Sequence, residues 1–171
     1  MFLLVGVVAA AALAWLAARG LWVRTGLPLG KIVYADVGTA FPVTGALKSQ
    51  RYGLVGKPDY LVRLKDGIAA VEVKSGRAPA SGRPHQGHLF QLAAYCLLVE
   101  DVSGIHVPYG LVKYDDRSLH IDFTSELRTD LLVLLDEMRA AKQASELHIN
   151  HNQPGKCRSC GFRTVCGESL I

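Results

Sequence analysis

Residues 59–74 read DYLVRLKDGIAAVEVK, and this stretch predicts the centre of the fold. Two runs rich in apolar residues, Tyr60–Leu64 and Ile68–Lys74, lie on either side of residues 65–67, which read KDG. An Asp-Gly pair between two such runs is typical of a β-hairpin turn. The stretch therefore predicts two antiparallel strands that are neighbours in a sheet.

The chain on either side of this hairpin predicts more strands and two helices. In chain order, we expect a strand at residues 31–37, the hairpin, a helix at residues 85–100, strands at residues 107–114 and 119–123, and a second helix capped by Thr124 or Ser125. Strands and helices that alternate in this way indicate an α/β or α+β layer fold.

Three charged side chains of the hairpin form a candidate metal site. Asp59 precedes the first strand, and Glu72 and Lys74 are two residues apart on the second, so their side chains leave the same face. Mg²⁺ usually takes one or two carboxylates and keeps waters for a substrate phosphate. Lys74 could then position or deprotonate the attacking water. An exposed hairpin with a Glu–Lys pair has the same spacing, so the residues alone leave both interpretations open.

The start of the chain predicts a membrane anchor. Phe2–Ala18 contains no charged residue, and residues 2–23 would form a helix about 33 Å long, enough for one bilayer span. Arg19, Arg24 and Lys31 follow, which predicts a single pass with the N-terminus outside and the body in the cytoplasm. A cleaved signal peptide and a buried helix are the alternatives. The rest of the chain is ordinary in composition, which excludes disorder and several spans.

Neither the charge nor the cysteine count identifies a function alone. The net charge of +4 is too small to indicate nucleic-acid binding, and four cysteines do not make a disulfide scaffold. Three of them, Cys157, Cys160 and Cys166, are crowded into the last 15 residues. Because a cytoplasmic body keeps thiols reduced, this crowding favours metal binding. Cys96 lies in an apolar run and is expected to be a core thiol.

Four motifs in order resemble one family. Asp59 and the run from Val71 to Gly76 resemble the PD-(D/E)XK nuclease superfamily, and Gln91-Leu-Ala-Ala-Tyr95 is similar to the helix motif of its RecB-like branch. The spacing of the three C-terminal cysteines is similar to that of an iron–sulfur variant of the branch. The chain looks most like the CRISPR-associated exonucleases of the Cas type-four family.

The resemblance implies a restriction-endonuclease-like α/β core, a mixed sheet flanked by helices. It implies a metal-dependent deoxyribonuclease that hydrolyses phosphodiester bonds in DNA, as an exonuclease on single strands or ends. Asp59, Glu72 and the backbone carbonyl of Val73 would bind Mg²⁺ or Mn²⁺. The catalytic residues would be Asp59, Glu72, Lys74, Gln91 and Tyr95.

The resemblance also suggests candidates outside this set. Arg77, Arg83 and His88 would bind nucleic acid, although solvated side chains would fit the same positions. Cys157, Cys160 and Cys166 would bind a 4Fe–4S cluster, or Zn²⁺ as the alternative, and His148 or His151 could complete the ligands. Together with the anchor predicted above, the motifs divide the chain into an anchor at residues 1–23, a linker and start of the core at residues 24–49, a nuclease core at residues 50–147, and a metal-binding tail at residues 148–171.

Two departures from the family pattern leave another function open. No Cys precedes Cys96, and no His precedes His85, where the family usually supplies a cluster ligand and a further metal ligand. The alternative is therefore a catalytically weakened nuclease fold that binds nucleic acid or a partner at the membrane. A zinc-ribbon interaction protein would explain the tail but not the hairpin. Protein partners cannot be predicted from the sequence.

Overall fold

The computed structural model describes residues 31–35 and 45–171 of the chain. Its strands are β1 (Lys31–Ala35), β2 (Leu47–Ser49), β3 (Leu54–Gly56), β4 (Tyr60–Arg63), β5 (Ile68–Val73), β6 (Tyr109–Lys113) and β7 (Ser118–Asp122). Its helices are α1 (Gln86–Ser103), α2 (Ser125–Gln143) and the short α3 (Pro154–Arg158).

Five of the described strands form a mixed sheet in the order β1-β4-β5-β6-β7. The pair β5–β6 is parallel, and the other neighbours are antiparallel. A parallel pair needs a long crossover, which α1 supplies between β5 and β6. The fold is therefore α/β, with a mixed sheet and helices, as the sequence predicts. Strands β2 and β3 pair separately as a small antiparallel hairpin.

Strand β5 lies at the centre of the sheet and carries much of the core. Its residues from Ile68 to Glu72 are all buried, which is typical of a strand covered on both faces. On one face Val62, Val71 and Leu111 pack together. Helix α1 lies very close to β6, because a Cβ atom added to Gly110 would be 2.7 Å from Leu92 Cδ1. A larger residue at that position of β6 would force the buried Leu92 side chain to shift.

The sequence predictions for the sheet and the first long helix are confirmed, with small shifts at the ends. The predicted hairpin is β4–β5, and the turn is closed by a 2.8 Å hydrogen bond from Leu64 N to Gly67 O. Helix α1 continues to Ser103, beyond the predicted end, and stops at Gly104, whose φ of 66° is left-handed. Thr124 is the residue that caps α2, because its Oγ1 accepts a hydrogen bond from Leu127 N. The β2–β3 hairpin was not predicted.

The chain divides into two compact units, one that ends at Leu131 and a second formed by Leu132–Ile171. Within residues 31–35 and 45–171, no helix has the length and apolar character needed to cross a membrane. The predicted anchor at residues 1–23 lies outside the described residues, so it stays a prediction.

Candidate active site

The β4–β5 hairpin brings two carboxylates together at one end of the sheet. Tyr60 pairs with Val71 in the strand register, so Asp59, the residue before β4, lies next to Glu72. The Oδ2 atom of Asp59 accepts a hydrogen bond of 2.7 Å from the backbone N–H of Val73. This bond fixes Asp59 on the neighbouring strand.

Glu72 is a buried acid with an incomplete set of partners. Its side chain is 5% exposed, and its Oε1 atom lies 2.6 Å from Lys74 Nζ. Its Oε2 atom is buried and has no hydrogen-bond partner among the described residues. Burial raises the pKa of Glu72, the hydrogen bond from Lys74 opposes this rise, and the nearby Asp59 carboxylate raises the pKa further. The ionised form of Glu72 therefore destabilises the folded protein.

A chain of hydrogen bonds connects Glu72 to the face of α1. Lys74 Nζ donates to Gln91 Oε1 at 2.7 Å, and Gln91 Nε2 donates to the Tyr95 hydroxyl at 3.1 Å. Gln91 and Tyr95 are four residues apart, which places them on one face of the helix. Burial raises the pKa of Tyr95, so its hydroxyl stays protonated. The five predicted catalytic residues therefore lie together.

The donor set fits a divalent cation. Two carboxylates lie close to each other, and one buried carboxylate oxygen lacks a hydrogen-bond partner within residues 31–35 and 45–171. A hard cation with oxygen ligands would relieve this arrangement. Within the described part of the chain, no three His, Cys, Asp or Glu side chains are grouped so that they could hold one metal ion. Asp59 and Glu72 would therefore share a cation with backbone oxygen and water.

The three predicted nucleic-acid contacts lie in different surroundings. His88 is half-buried, and its Nδ1 atom lies 2.8 Å from the Tyr114 hydroxyl. The side chain of Arg77 is 85% exposed, and its Nε atom lies 4.0 Å from Asp116 Oδ2. Arg83 is exposed in the same loop, where its backbone N–H bonds to the Ser81 hydroxyl. None of the three belongs to the hydrogen-bonded chain around Glu72.

Gly56 is a site residue that sequence reasoning missed. A Cβ atom at this position would lie 2.8 Å from Tyr95 Cε1 and 2.9 Å from Leu98 Cδ1. The end of β3 therefore touches the Tyr95 ring, and only glycine leaves room for it. Its signal in the sequence is its place in Gly56-Lys-Pro-Asp59, just before the first carboxylate.

The C-terminal cysteines lie in the second unit. Cys157 is buried, Cys160 is exposed and Cys166 is half-buried, and all four thiols of the protein are free. Cys160 and Cys166 line a cavity of about 520 Å³ together with His148. The Nδ1 atom of His148 forms a hydrogen bond of 2.5 Å with Glu168 Oε1. Since the three cysteines are not grouped around one point, the metal centre stays a prediction.

Comparison with known proteins identifies the family to which the chain is similar. A model of the PD-(D/E)XK nuclease superfamily matches residues 9–167. The CRISPR-associated exonuclease Cas4 of Aeropyrum pernix is 35% identical over 126 residues, which are 70% of this chain and 62% of that protein. The protein of the same name from Francisella tularensis subsp. novicida is 25% identical over 123 residues, 72% of this chain and 61% of its own.

This chain thus spans about three-fifths of the length of the two relatives. Among solved structures, the crystal structure of SSO0001 matches with a TM-score of 0.44 and 21% identity, over 84% of this chain and 60% of that one. Because the family model covers nearly the whole chain, including the hairpin, the helix and the cysteine-rich tail, this protein belongs to the PD-(D/E)XK nuclease superfamily.

Proposed function

We propose that this protein is a DNA nuclease that hydrolyses phosphodiester bonds with the help of Mg²⁺ or Mn²⁺. The observation that carries the proposal is the buried Glu72 carboxylate beside that of Asp59. One oxygen of Glu72 is paired with Lys74, and the other has no hydrogen-bond partner in the part of the chain that the structure describes. A purely structural pair would have no reason to keep an unpaired carboxylate oxygen at a cost in stability.

Each residue of the site has a distinct task in this reaction. Asp59 and Glu72, with the carbonyl of Val73, would hold the cation, which when bound supplies Lewis-acid charge and makes water a better nucleophile at neutral pH. Lys74 has three N–H donors, of which Glu72 and Gln91 accept two. The third can donate to a phosphate oxygen and offset the charge that develops there.

The hydrogen bonds of Lys74 favour one of its two expected roles. The Nζ atom of Lys74 lies between two acceptors, 2.6 Å from Glu72 Oε1 and 2.7 Å from Gln91 Oε1, in an ion pair rather than at an open position that faces water. Lys74 therefore acts in our proposal as a fixed positive charge rather than as the general base. Gln91 holds the ammonium in place, and Tyr95 orients the amide of Gln91.

The proposed substrate is DNA with single strands or free ends. Both named relatives are called exonucleases, and the exposed Arg77 and Arg83 lie in the loop that follows Lys74, where they can reach phosphates outside the reacting one. We assign the nuclease core to residues 50–147.

Two further parts complete the proposal. Residues 1–23 anchor the protein, with the body on the cytoplasmic side, and residues 148–171 hold a 4Fe–4S cluster or Zn²⁺ through their three cysteines. The anchor is tested by protease treatment of spheroplasts, which should spare the body. Release of a shortened soluble form into the periplasm would favour a signal peptide instead.

The nuclease proposal is tested with the full chain, purified anaerobically in detergent. It should cleave end-labelled single-stranded DNA when Mg²⁺ or Mn²⁺ is added and not when EDTA is present. The matched control is Glu72→Gln, which keeps the shape of the side chain and removes its charge. DNA binding without any metal-dependent cleavage would contradict the proposed nuclease activity. It would support the alternative, a nuclease fold that serves only as a binding module.

A further inference from the structure

The segment Tyr114–Asp116, at the end of β6, contacts two parts of the chain that border the candidate active site. The Tyr114 hydroxyl lies 2.8 Å from Nδ1 of His88, one helical turn before Gln91. Asp115 Oδ2 accepts a hydrogen bond of 2.7 Å from Gly76 N, and Asp116 Oδ1 accepts one of 2.7 Å from Ala78 N. Three consecutive side chains thus hold α1 and the loop after Lys74.

The loop is held more firmly than its exposure would suggest. Asp115 N donates back to Gly76 O at 3.0 Å, and Lys74 N donates to Lys113 O at 2.8 Å, which extends the contact between the two chain segments. Gly76 has a φ of +92°, a conformation that other residues rarely adopt. The start of the exposed loop after Lys74 is thus held by two hydrogen bonds to carboxylates and by backbone hydrogen bonds. It therefore has a defined conformation before any ligand binds.

This arrangement presents the Arg77 side chain to solvent, beside the carboxylates of Asp115 and Asp116. The Arg77 side chain is 85% exposed, and its Nε atom lies 4.0 Å from Asp116 Oδ2, an oxygen whose closer partner is Arg117 Nε at 3.2 Å. The hydrogen bond to Tyr114 involves Nδ1 of His88, and among the described residues no hydrogen bond to its Nε2 atom is seen, so this second ring nitrogen can bind a phosphate oxygen in our proposal. Burial, followed by the charges of Lys74 and His85, lowers the pKa of His88, which agrees with a position beside Lys74.

We propose that the segment Tyr114–Asp116 is a brace that fixes Arg77 and His88 where they contact the DNA phosphates next to the scissile one. This inference rests on the proposed nuclease function and adds the residues that position the substrate strand. A contact residue whose backbone is already fixed loses less conformational entropy on binding, so the brace contributes to affinity rather than to the chemical step. Tyr114, Asp115 and Asp116 touch no substrate themselves and act as positioning residues.

The test measures binding and cleavage of an end-labelled single-stranded oligonucleotide by the full chain, with Ca²⁺ replacing Mg²⁺ in the binding assay. Tyr114→Phe and Asp115→Ala should each raise Kd and KM about ten-fold and change kcat less than about two-fold. Asp115→Asn should restore most of the affinity, because its amide oxygen can still accept from Gly76 N. Asp66→Ala, in the turn at the other end of β5, is the matched control.

A double-mutant cycle separates the brace from a merely structural role. Asp116→Ala should weaken binding in the wild-type background and have little further effect in the Arg77→Ala background, because it acts through Arg77. Tyr114→Phe and His88→Ala should be non-additive in the same way. Additive losses, or a fall in kcat with KM unchanged, would overturn the proposal. If the wild type binds DNA without cleaving it, the nuclease function fails, while the same pattern of binding losses would still support the brace.

Discussion

The carboxylate of Asp59 accepts a hydrogen bond of 2.7 Å from the backbone N–H of Val73, the residue after Glu72. An acid at the start of one strand is thereby fixed on the neighbouring strand, beside the second acid. Burial raises the pKa of Glu72, and repulsion between the two carboxylates adds to this rise. The fold therefore holds the charge arrangement that a cation would require even when no cation is bound.

The first prediction is that Asp59, Glu72 and Lys74 act as a unit. Asp59→Ala or Glu72→Ala should abolish metal-dependent cleavage, since one remaining carboxylate would hold Mg²⁺ poorly. Lys74→Ala should slow cleavage by about 10²–10³-fold, because it removes a donor that offsets the charge developing on the phosphate. Rates of oligonucleotide cleavage at saturating Mn²⁺ check these outcomes, with Asp66→Ala as the control carboxylate. Full activity of Glu72→Ala would refute the assignment.

The second prediction concerns stability without metal. Since the folded protein raises the pKa of Glu72, the ionised form destabilises the fold, and the contribution of this group is present at low pH and lost as pH rises through the raised pKa. Glu72→Gln cannot ionise, so it should be more stable than the wild type at neutral pH in EDTA. The difference should shrink as pH falls through the raised pKa toward 4.5, the ordinary Glu value, and change little below it.

Urea unfolding of both proteins at neutral and acidic pH measures this effect. Mn²⁺ should raise the unfolding midpoint of the wild type and leave that of Glu72→Gln nearly unchanged, because binding to the folded state is what stabilises it. A variant that is less stable than the wild type at neutral pH would mean that the ion pair with Lys74 outweighs the cost of burying the charge.

The third prediction concerns the two helix residues behind Lys74. Gln91→Ala removes an acceptor that is 2.7 Å from Lys74 Nζ, and kcat should fall on the order of ten-fold. Tyr95→Phe removes only the hydroxyl bonded to Gln91 at 3.1 Å, so its effect should be smaller. The double variant should be no worse than Gln91→Ala. Tyr109→Phe, which removes a hydroxyl from β6, is the control, and an effect of Tyr95→Phe larger than that of Gln91→Ala would contradict this order.

The central hairpin and its charged residues could be predicted because they depend on local rules. An Asp-Gly turn sets the register of β4 and β5, and a period of two then places Glu72 and Lys74 on one side. The spacing of Gln91 and Tyr95 sets their common helical face in the same way. The strands β2 and β3 could not be predicted, since each has three residues and no clear alternation.

The contacts of Tyr114–Asp116 could not be predicted because they join segments that are far apart in the chain. The sequence of Tyr114–Asp116 predicts only the end of a strand and a turn. In the structure, however, Asp115 accepts a hydrogen bond from Gly76 N, which is 39 residues away in the chain. That contact exists because β6 lies parallel to β5, so the two segments leave the sheet at the same end. No local sequence pattern predicts which strand lies beside β5. The hydrogen-bond partners of Asp115 and Asp116 can be predicted only when the strand order is known.

The fourth prediction concerns the C-terminal tail. If Cys157, Cys160 and Cys166 bind one metal centre, part of the folding free energy of the second unit comes from the metal. Cys157→Ser should lose the metal and make the tail easier to cleave by protease. Cys96→Ser should keep it, because burial raises the pKa of Cys96 to about 12 and leaves a protonated core thiol. Iron, sulfide and zinc analysis of anaerobically purified protein distinguishes a cluster from zinc. Negligible metal, together with unchanged protease resistance in Cys157→Ser, would contradict a metal centre.

The last prediction uses two glycines with opposite surroundings. Gly56→Ala should destabilise the protein by about 1–3 kcal/mol and lower kcat, since the new methyl would lie 2.8 Å from the Tyr95 ring and displace it from Gln91. Gly87→Ala is the control, because nothing lies within 4 Å of a Cβ atom at that position. Alanine in α1 should stabilise the protein by up to about 1 kcal/mol and leave cleavage unchanged. Urea unfolding and cleavage rates measure both variants. Equal tolerance of both substitutions would show that β3 does not hold Tyr95 in place and that Gly56 has no part in the site.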